Sequence, residues 1–215
     1  MKIERFLKRG GCISLFMLPF LIVGLGVFAY TLYCFAKNEQ AKKWAKISAH
    51  IEQADFDIHS RKGTDVYEIL IRYSYEIEGR KYLSNRIYFG YGGSNLEGQE
   101  ELFFKLKSSR IINIYVNPDK KNEAIIIPGW NDSITFMLIF SLMWNSFFGV
   151  FCFAPFFKDL DENSNSKFSY KKMALGVAII WILGFVILLS DCLHTNIESR
   201  IDVIERAKSI DSNTE

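Results

Sequence analysis

Three long apolar runs broken by one polar insert constrain this chain more than any motif in it. Cys12 to Ala36, Ile134 to Phe157 and Met173 to Leu189 carry almost no charge, whereas Lys37 to Asn131 mixes polar and apolar residues throughout. About 20 residues at ~1.5 Å rise cross a hydrocarbon core of ~30 Å. The pattern predicts a membrane α-helical protein with three transmembrane helices and an inserted small β-rich (α+β) soluble domain. The boundaries are a cytoplasmic N-terminus at 1–11, helices at 12–36, 132–157 and 173–193, the β-rich domain at 37–131, a polar loop at 158–172 and a tail at 194–215.

Charge and cysteine usage narrow the class further. The formal net charge of +2 comes without a long basic stripe, which argues against a nucleic-acid partner. Cys12, Cys34, Cys152 and Cys192 all fall in or beside the apolar runs, so neither a disulfide framework nor a zinc site is implied for the insert. Lys2, Arg5, Lys8 and Arg9 precede a run too long for a cleaved signal, which predicts an uncleaved signal anchor.

Orientation rests on the short loops. The four basic residues at the N-terminus, with Lys158, Lys167, Lys171 and Lys172, favour a cytoplasmic N-terminus and loop, and so place the insert and tail outside. Lys37, Lys42, Lys43 and Lys46 pull the other way. The apolar side chains of the second run favour insertion by on the order of 4 to 8 kcal/mol, enough to carry Asn145. Ser141, Asn145 and Gly149 recur at four-residue spacing and share one helical face. That face serves either a polar pathway or a helix–helix contact, and the absence of an accompanying ionisable residue favours the contact.

In the insert, Tyr67, Ile69, Ile71, Tyr73, Tyr75 and Ile77 alternate with Glu68, Arg72, Ser74 and Glu76, the period-two signature of a half-buried strand. Glu78-Gly79 supplies a turn. With a three-residue bulged loop, Leu83, Ile87 and Phe89 would join the same apolar face. Further strands are expected at Ile111 to Val116 and Ala124 to Ile127, and a first one at Trp44 to Ile51, with a short helix at Glu97 to Lys107 burying Leu102, Phe103 and Leu106.

The run Tyr73-Ser74-Tyr75-Glu76-Ile77-Glu78-Gly79-Arg80-Lys81-Tyr82, then Asn85 to Gly90, then Ile114-Tyr115-Val116-Asn117-Pro118 resembles the bacterial membrane-protein family catalogued as domain of unknown function 3592 (DUF3592). The resemblance covers Trp44 to Gly129 and, in layout, the first two spans. It implies a β-rich domain held between membrane helices and no known activity. Lys107-Ser108-Ser109-Arg110 stands where the family often has a Tyr-Pro-x-Gly turn.

Asp55, Asp57 and His59 would share a face of an extended segment, a spacing that can hold a divalent metal, but an exposed loop accounts for them without a fourth ligand. Phe89 to Asn95 is glycine-rich yet lacks the Lys and the spacing of a phosphate loop. His50, His59 and His194 are scattered and no nucleophile–base grouping appears, so neither an enzyme nor a cofactor is expected. Tyr88 and Tyr91 are candidates for an interaction surface, since Tyr is enriched at contacts. In the tail, Ile197, Ile201 and Ile204 at helical spacing predict an amphipathic helix. The expected partners are membrane lipid and another membrane or envelope protein. Within that class stand an immunity protein against a membrane- or envelope-directed toxin and an accessory subunit of a transporter or channel.

Overall fold

A computed structural model describes residues 12–61, 64–92, 98–163, 170–189 and 197–206. The chain divides into two compact units. A helical unit comprises helix α1 (Cys12–Ala41) as far as Tyr33, helix α3 (Asp132–Asn163) from Ile134, and helix α4 (Tyr170–Leu189). A sheet unit takes the chain from Cys34 to Ser133 and again over 197–206.

In the helical unit, two helices among the described residues are long and apolar enough to cross a membrane, Ser14–Ala41 and Asp132–Phe153. The apolar stretch described in α4, Leu175–Ile187, is shorter, so the expected third span rests on the sequence. Where α1 meets α3, a Cβ on Gly24 would lie 2.4 Å from Trp144 Cδ1 and 2.7 Å from Asn145 Oδ1. Only glycine permits that approach. Beside it Trp144 Nε1 donates to the Phe20 carbonyl at 2.9 Å, and Phe20 stacks on Phe148 at 5.1 Å. That bond gives the indole N–H the partner it would need away from water. On another side of α3, a Cβ on Gly184 would lie 2.8 Å from Met143 Sδ, and Trp181 Nε1 donates to Ser146 Oγ at 3.2 Å. Helix α3 thus packs against both neighbours, each time through a glycine on the other helix.

The sheet unit comprises β1 (Ala45–Arg61), β2 (Thr64–Ile77), β3 (Arg80–Ser84), helix α2 (Gln99–Lys107), β4 (Ser109–Val116), β5 (Ala124–Ile125) and β6 (Val203–Arg206). Described strands lie in the order β3-β2-β1-β4-β5, with β6 also on β4, and every pairing is antiparallel. Ile69, Ile71, Tyr73 and Tyr75 are buried as the alternation requires, and Leu102, Phe103 and Leu106 of α2 close over the same face.

Four expectations for the insert are corrected. The hairpin turn has two residues, because Ile77 pairs with Arg80 and both Glu78 (φ 53°) and Gly79 (φ 74°) take positive φ. Such a turn suits the right-handed strand twist, and Glu78 accepts a left-handed conformation at ~1 kcal/mol. Tyr75 therefore faces Tyr82, and Leu83 points outward, 58% exposed, although Ile87 and Phe89 are buried as expected. Strand β1 runs to Arg61, so Asp55 and Asp57 lie in a paired strand rather than a loop. Strand β5 stops at Ile125, and both Ile126 and Ile127 give their N–H to the Ile87 carbonyl at 2.9 Å.

The tail forms no helix over 197–206. A 3₁₀ turn at Glu198–Arg200 lets Ile197 and Ile201 enter the sheet's core, and β6 then pairs with β4 while Ile204 stays 52% exposed. Four-residue apolar spacing suits either outcome, and the free edge of β4 offered ladder hydrogen bonds that an isolated helix lacked.

Candidate recognition surface

Because side chains alternate, the face opposite α2 carries the residues between core positions. Ser48, His50, Arg72, Glu76, Lys81 and Leu83 are all exposed there. The register shifts between Ile51 and Gln53, so Glu52 is the extra residue of a β-bulge. Core positions in β1 consequently switch from odd (Ala49) to even (Phe56). Lys81 Nζ meets Glu52 Oε1 at 2.7 Å. That contact, followed by the Ser74 hydroxyl, holds the Glu52 carboxyl below its usual range.

The bulge bounds a concavity of ≈ 510 Å³ lined by Ser48, His50, Glu52, Ser74, Glu76 and Lys81 together with Ile47 and Tyr75. Serine, histidine and carboxylate meet here, and His50 stands opposite Ser74 in the ladder. The surface is open, mixed in charge and hydrogen-bonding, which suits recognition of a polar macromolecular surface.

The end of the unit nearest the first span is fixed by Asn38, which is wholly buried. Its Nδ2 donates to the Phe89 carbonyl at 2.9 Å and its Oδ1 accepts the Phe89 N–H at 3.1 Å, while its own carbonyl takes the Gly129 N–H at 2.9 Å. One residue thus ties the last turns of α1 to two segments of the sheet unit, its side chain to Phe89 and its main-chain carbonyl to Gly129. Arg86 lies over the Phe89 ring at 4.6 Å, and Trp44 meets it edge-on at 6.1 Å.

The candidate residues separate. Asp55 accepts from Gln53 Nε2 at 2.5 Å, Asp57 stands opposite Glu68, and the His59 side chain lies outside the described residues. Tyr88 belongs to the core rather than to an interaction surface, at 2% exposure, with its hydroxyl 3.0 Å from Ser133 Oγ and burial pushing its phenol up to about 12. Tyr91 is committed as well. Its hydroxyl accepts the Ile69 N–H at 2.8 Å and bonds Gln99 Oε1 at 3.1 Å, and burial raises its pKa above the ordinary phenol range. In the glycine-rich segment the Phe89 and Tyr91 N–H groups are taken by Asn38 and the Tyr88 carbonyl, and residues 93–95 lie outside the described set.

On α3, Ser141 is buried and donates to its own helix at Leu138. Asn145 Nδ2 donates to the Ser141 carbonyl at 2.7 Å, while its Oδ1 faces Gly24 without a hydrogen-bond partner. A Cβ on Gly149 would meet nothing within 4 Å, so Gly24, not Gly149, provides the close approach. Asn38, Gly24 and Gly184 are the structural residues that sequence reasoning missed.

The motif residues staple the sheet. The Tyr73 hydroxyl shares its one hydrogen between the carbonyls of Arg86 (2.9 Å) and Ala124 (3.2 Å), and that of Tyr75 donates to Lys121 at 2.7 Å. Asn117 closes the turn before Glu123, accepting the Asp119 N–H and donating to the Glu123 carboxylate. The protein is therefore a β-sheet unit joined to helices of which two could span a membrane. Residues 48–131 match the family model described as "Domain of unknown function (DUF3592)", the family that the hairpin and the Asn-Pro turn resemble. No curated protein and no solved structure matches the chain.

Proposed function

We propose that this is a non-enzymatic, multi-pass protein of a bacterial cytoplasmic membrane whose sheet unit lies outside and binds another protein or an envelope component. One observation carries the reading: α2 packs over one face of the sheet, and the other face is left uncovered, with a concavity of mixed polar and apolar lining beside the bulge.

Connectivity supports the topology. Residues 132 and 197 leave from and return to one sheet, because β6 pairs with β4. The chain between them must then cross the membrane an even number of times. With the sheet unit outside, α3 crosses inward and α4 crosses back outward, which agrees with the third span that the sequence predicts.

The test is a photo-crosslinking side chain at Ser48 on the open face, compared with one at Asn122 on an exposed turn, in native membranes. A discrete adduct from Ser48 and not from Asn122 is expected. Equal or absent adducts contradict the reading. The accessory-subunit alternative draws on the unpartnered Asn145 Oδ1. It requires that Asn145→Leu abolish a transport phenotype while the protein still assembles.

A further inference from the structure

Beyond the bulge, β1 leaves the shelter of β4, whose pairing ends with His50 opposite Ile111. From Gln53 to Arg61 the strand is paired with β2 on one side only. One hydrogen bond gives the direction of the amides on the other side. The Ile69 N–H donates to Tyr91 Oη, so it points away from β1. Residues opposite each other in an antiparallel ladder exchange both of their bonds or neither. Ile69 stands opposite Phe56, so Phe56 directs its N–H and C=O away from β2. The two-residue period extends this to Ala54 and Ile58, opposite Ile71 and Tyr67. Among the described residues, no strand or side chain meets these three amides. The hairpin's two edges therefore differ: Tyr91 guards β2 at Ile69, and β1 is left open.

We propose that the edge from Ala54 to Ile58 captures an extended segment of a partner protein as an added strand, one that alternates basic and apolar side chains. This rests on the recognition reading above and names the partner's chemistry. On the open face such a strand runs beside Asp55 and Asp57, which favour Lys or Arg there. On the core face it runs beside Phe56 and Ile58, the latter 55% exposed, which favours apolar residues. On that apolar side Lys107 sits over the Phe103 ring at 5.2 Å, and that ring stacks on Phe56, so the cation disfavours basic residues there. Main-chain bonds supply affinity in this mode, and the alternating side chains supply specificity.

The probe is a labelled hexapeptide alternating Lys and Val, titrated onto the full-length protein in lipid nanodiscs beside a Glu/Val counterpart. Saturating Lys/Val peptide should slow amide exchange at Ala54, Phe56 and Ile58 at least tenfold, and the Glu/Val peptide should bind at least tenfold more weakly. Ala54→Pro removes an outward N–H without breaking the β1–β2 ladder, and should weaken binding tenfold. Should that variant misfold, Asp55→Lys tests the same point by shifting preference toward the Glu/Val peptide. Unchanged exchange at the three amides, or equal binding of both peptides, overturns the proposal. So does protection that is already present and vanishes on deleting residues 207–215, since the chain's own tail would then be the occupant. Ser48 adducts that persist while this edge stays unprotected would keep the recognition reading and remove the edge as its route.

Discussion

Asn38 shows how much of this fold rests on a single side chain. It is the second polar residue after the first apolar run, and both of its amide atoms bond the backbone of Phe89, 51 positions away. Asn38→Ala would leave a buried N–H and a buried C=O unpaired, each costing ~1–3 kcal/mol. A loss of about 2–4 kcal/mol is expected in urea unfolding of the detergent-solubilised protein, and an unchanged midpoint contradicts the role. Nothing in the sequence marks this residue, because its partner is set by the fold and not by local pattern. Gly24 is similar: one glycine in a run that also contains Gly26, distinguished only by Trp144 and Asn145 lying against it. Gly24→Ala should weaken α1–α3 packing by ~1–3 kcal/mol, as overpacking does. Gly26→Ala, where a Cβ meets nothing within 4 Å, should be neutral in the same melt.

At the scale of elements, the hairpin was legible and its register was not. Strict alternation over Tyr67 to Ile77 survives because one face is buried, and a slip of one residue would turn every side chain over. The length of the turn depended instead on Glu78 accepting a positive φ, which its residue type disfavours. Strand β6 was illegible for another reason: four-residue apolar spacing is also met by a 3₁₀ turn leading into an edge strand. That strand is tied down beside Asp202, which pairs with Lys46 and accepts from Asn113 Nδ2 at 2.8 Å. The Lys46 contact, then Asn113, lowers the Asp202 pKa from 3.8, and Asp202 raises that of Lys46 from 10.5. A depressed carboxyl stabilises above its unfolded value and loses that contribution as pH falls through the folded one; a raised amine stabilises below its unfolded value and loses it as pH rises through the folded one. Amide protection in β6 should therefore hold between the two ordinary values and fall below pH 3.8. Asp202→Asn should reduce protection at neutral pH and remove the acid-side step. A step that survives in this variant would show that another group controls it.

For the whole molecule, the apolar runs and the insert between them were readable because hydrocarbon and water sort residues over whole segments. The candidate sites were less readable: Tyr88 and Tyr91 have the residue type of a contact surface, yet the sheet uses both internally. The topology in that reading stands on one claim, that insert and tail occupy the same side of a membrane because they share a sheet. In a variant free of native cysteines, Asp119→Cys, Glu205→Cys and Ser164→Cys can each be labelled in sealed vesicles of known orientation with a membrane-impermeant maleimide. Asp119→Cys and Glu205→Cys should label from one side and Ser164→Cys, in the polar loop, from the other. Labelling of the first two from opposite sides, or of all three from the same side, would contradict the shared-sheet topology.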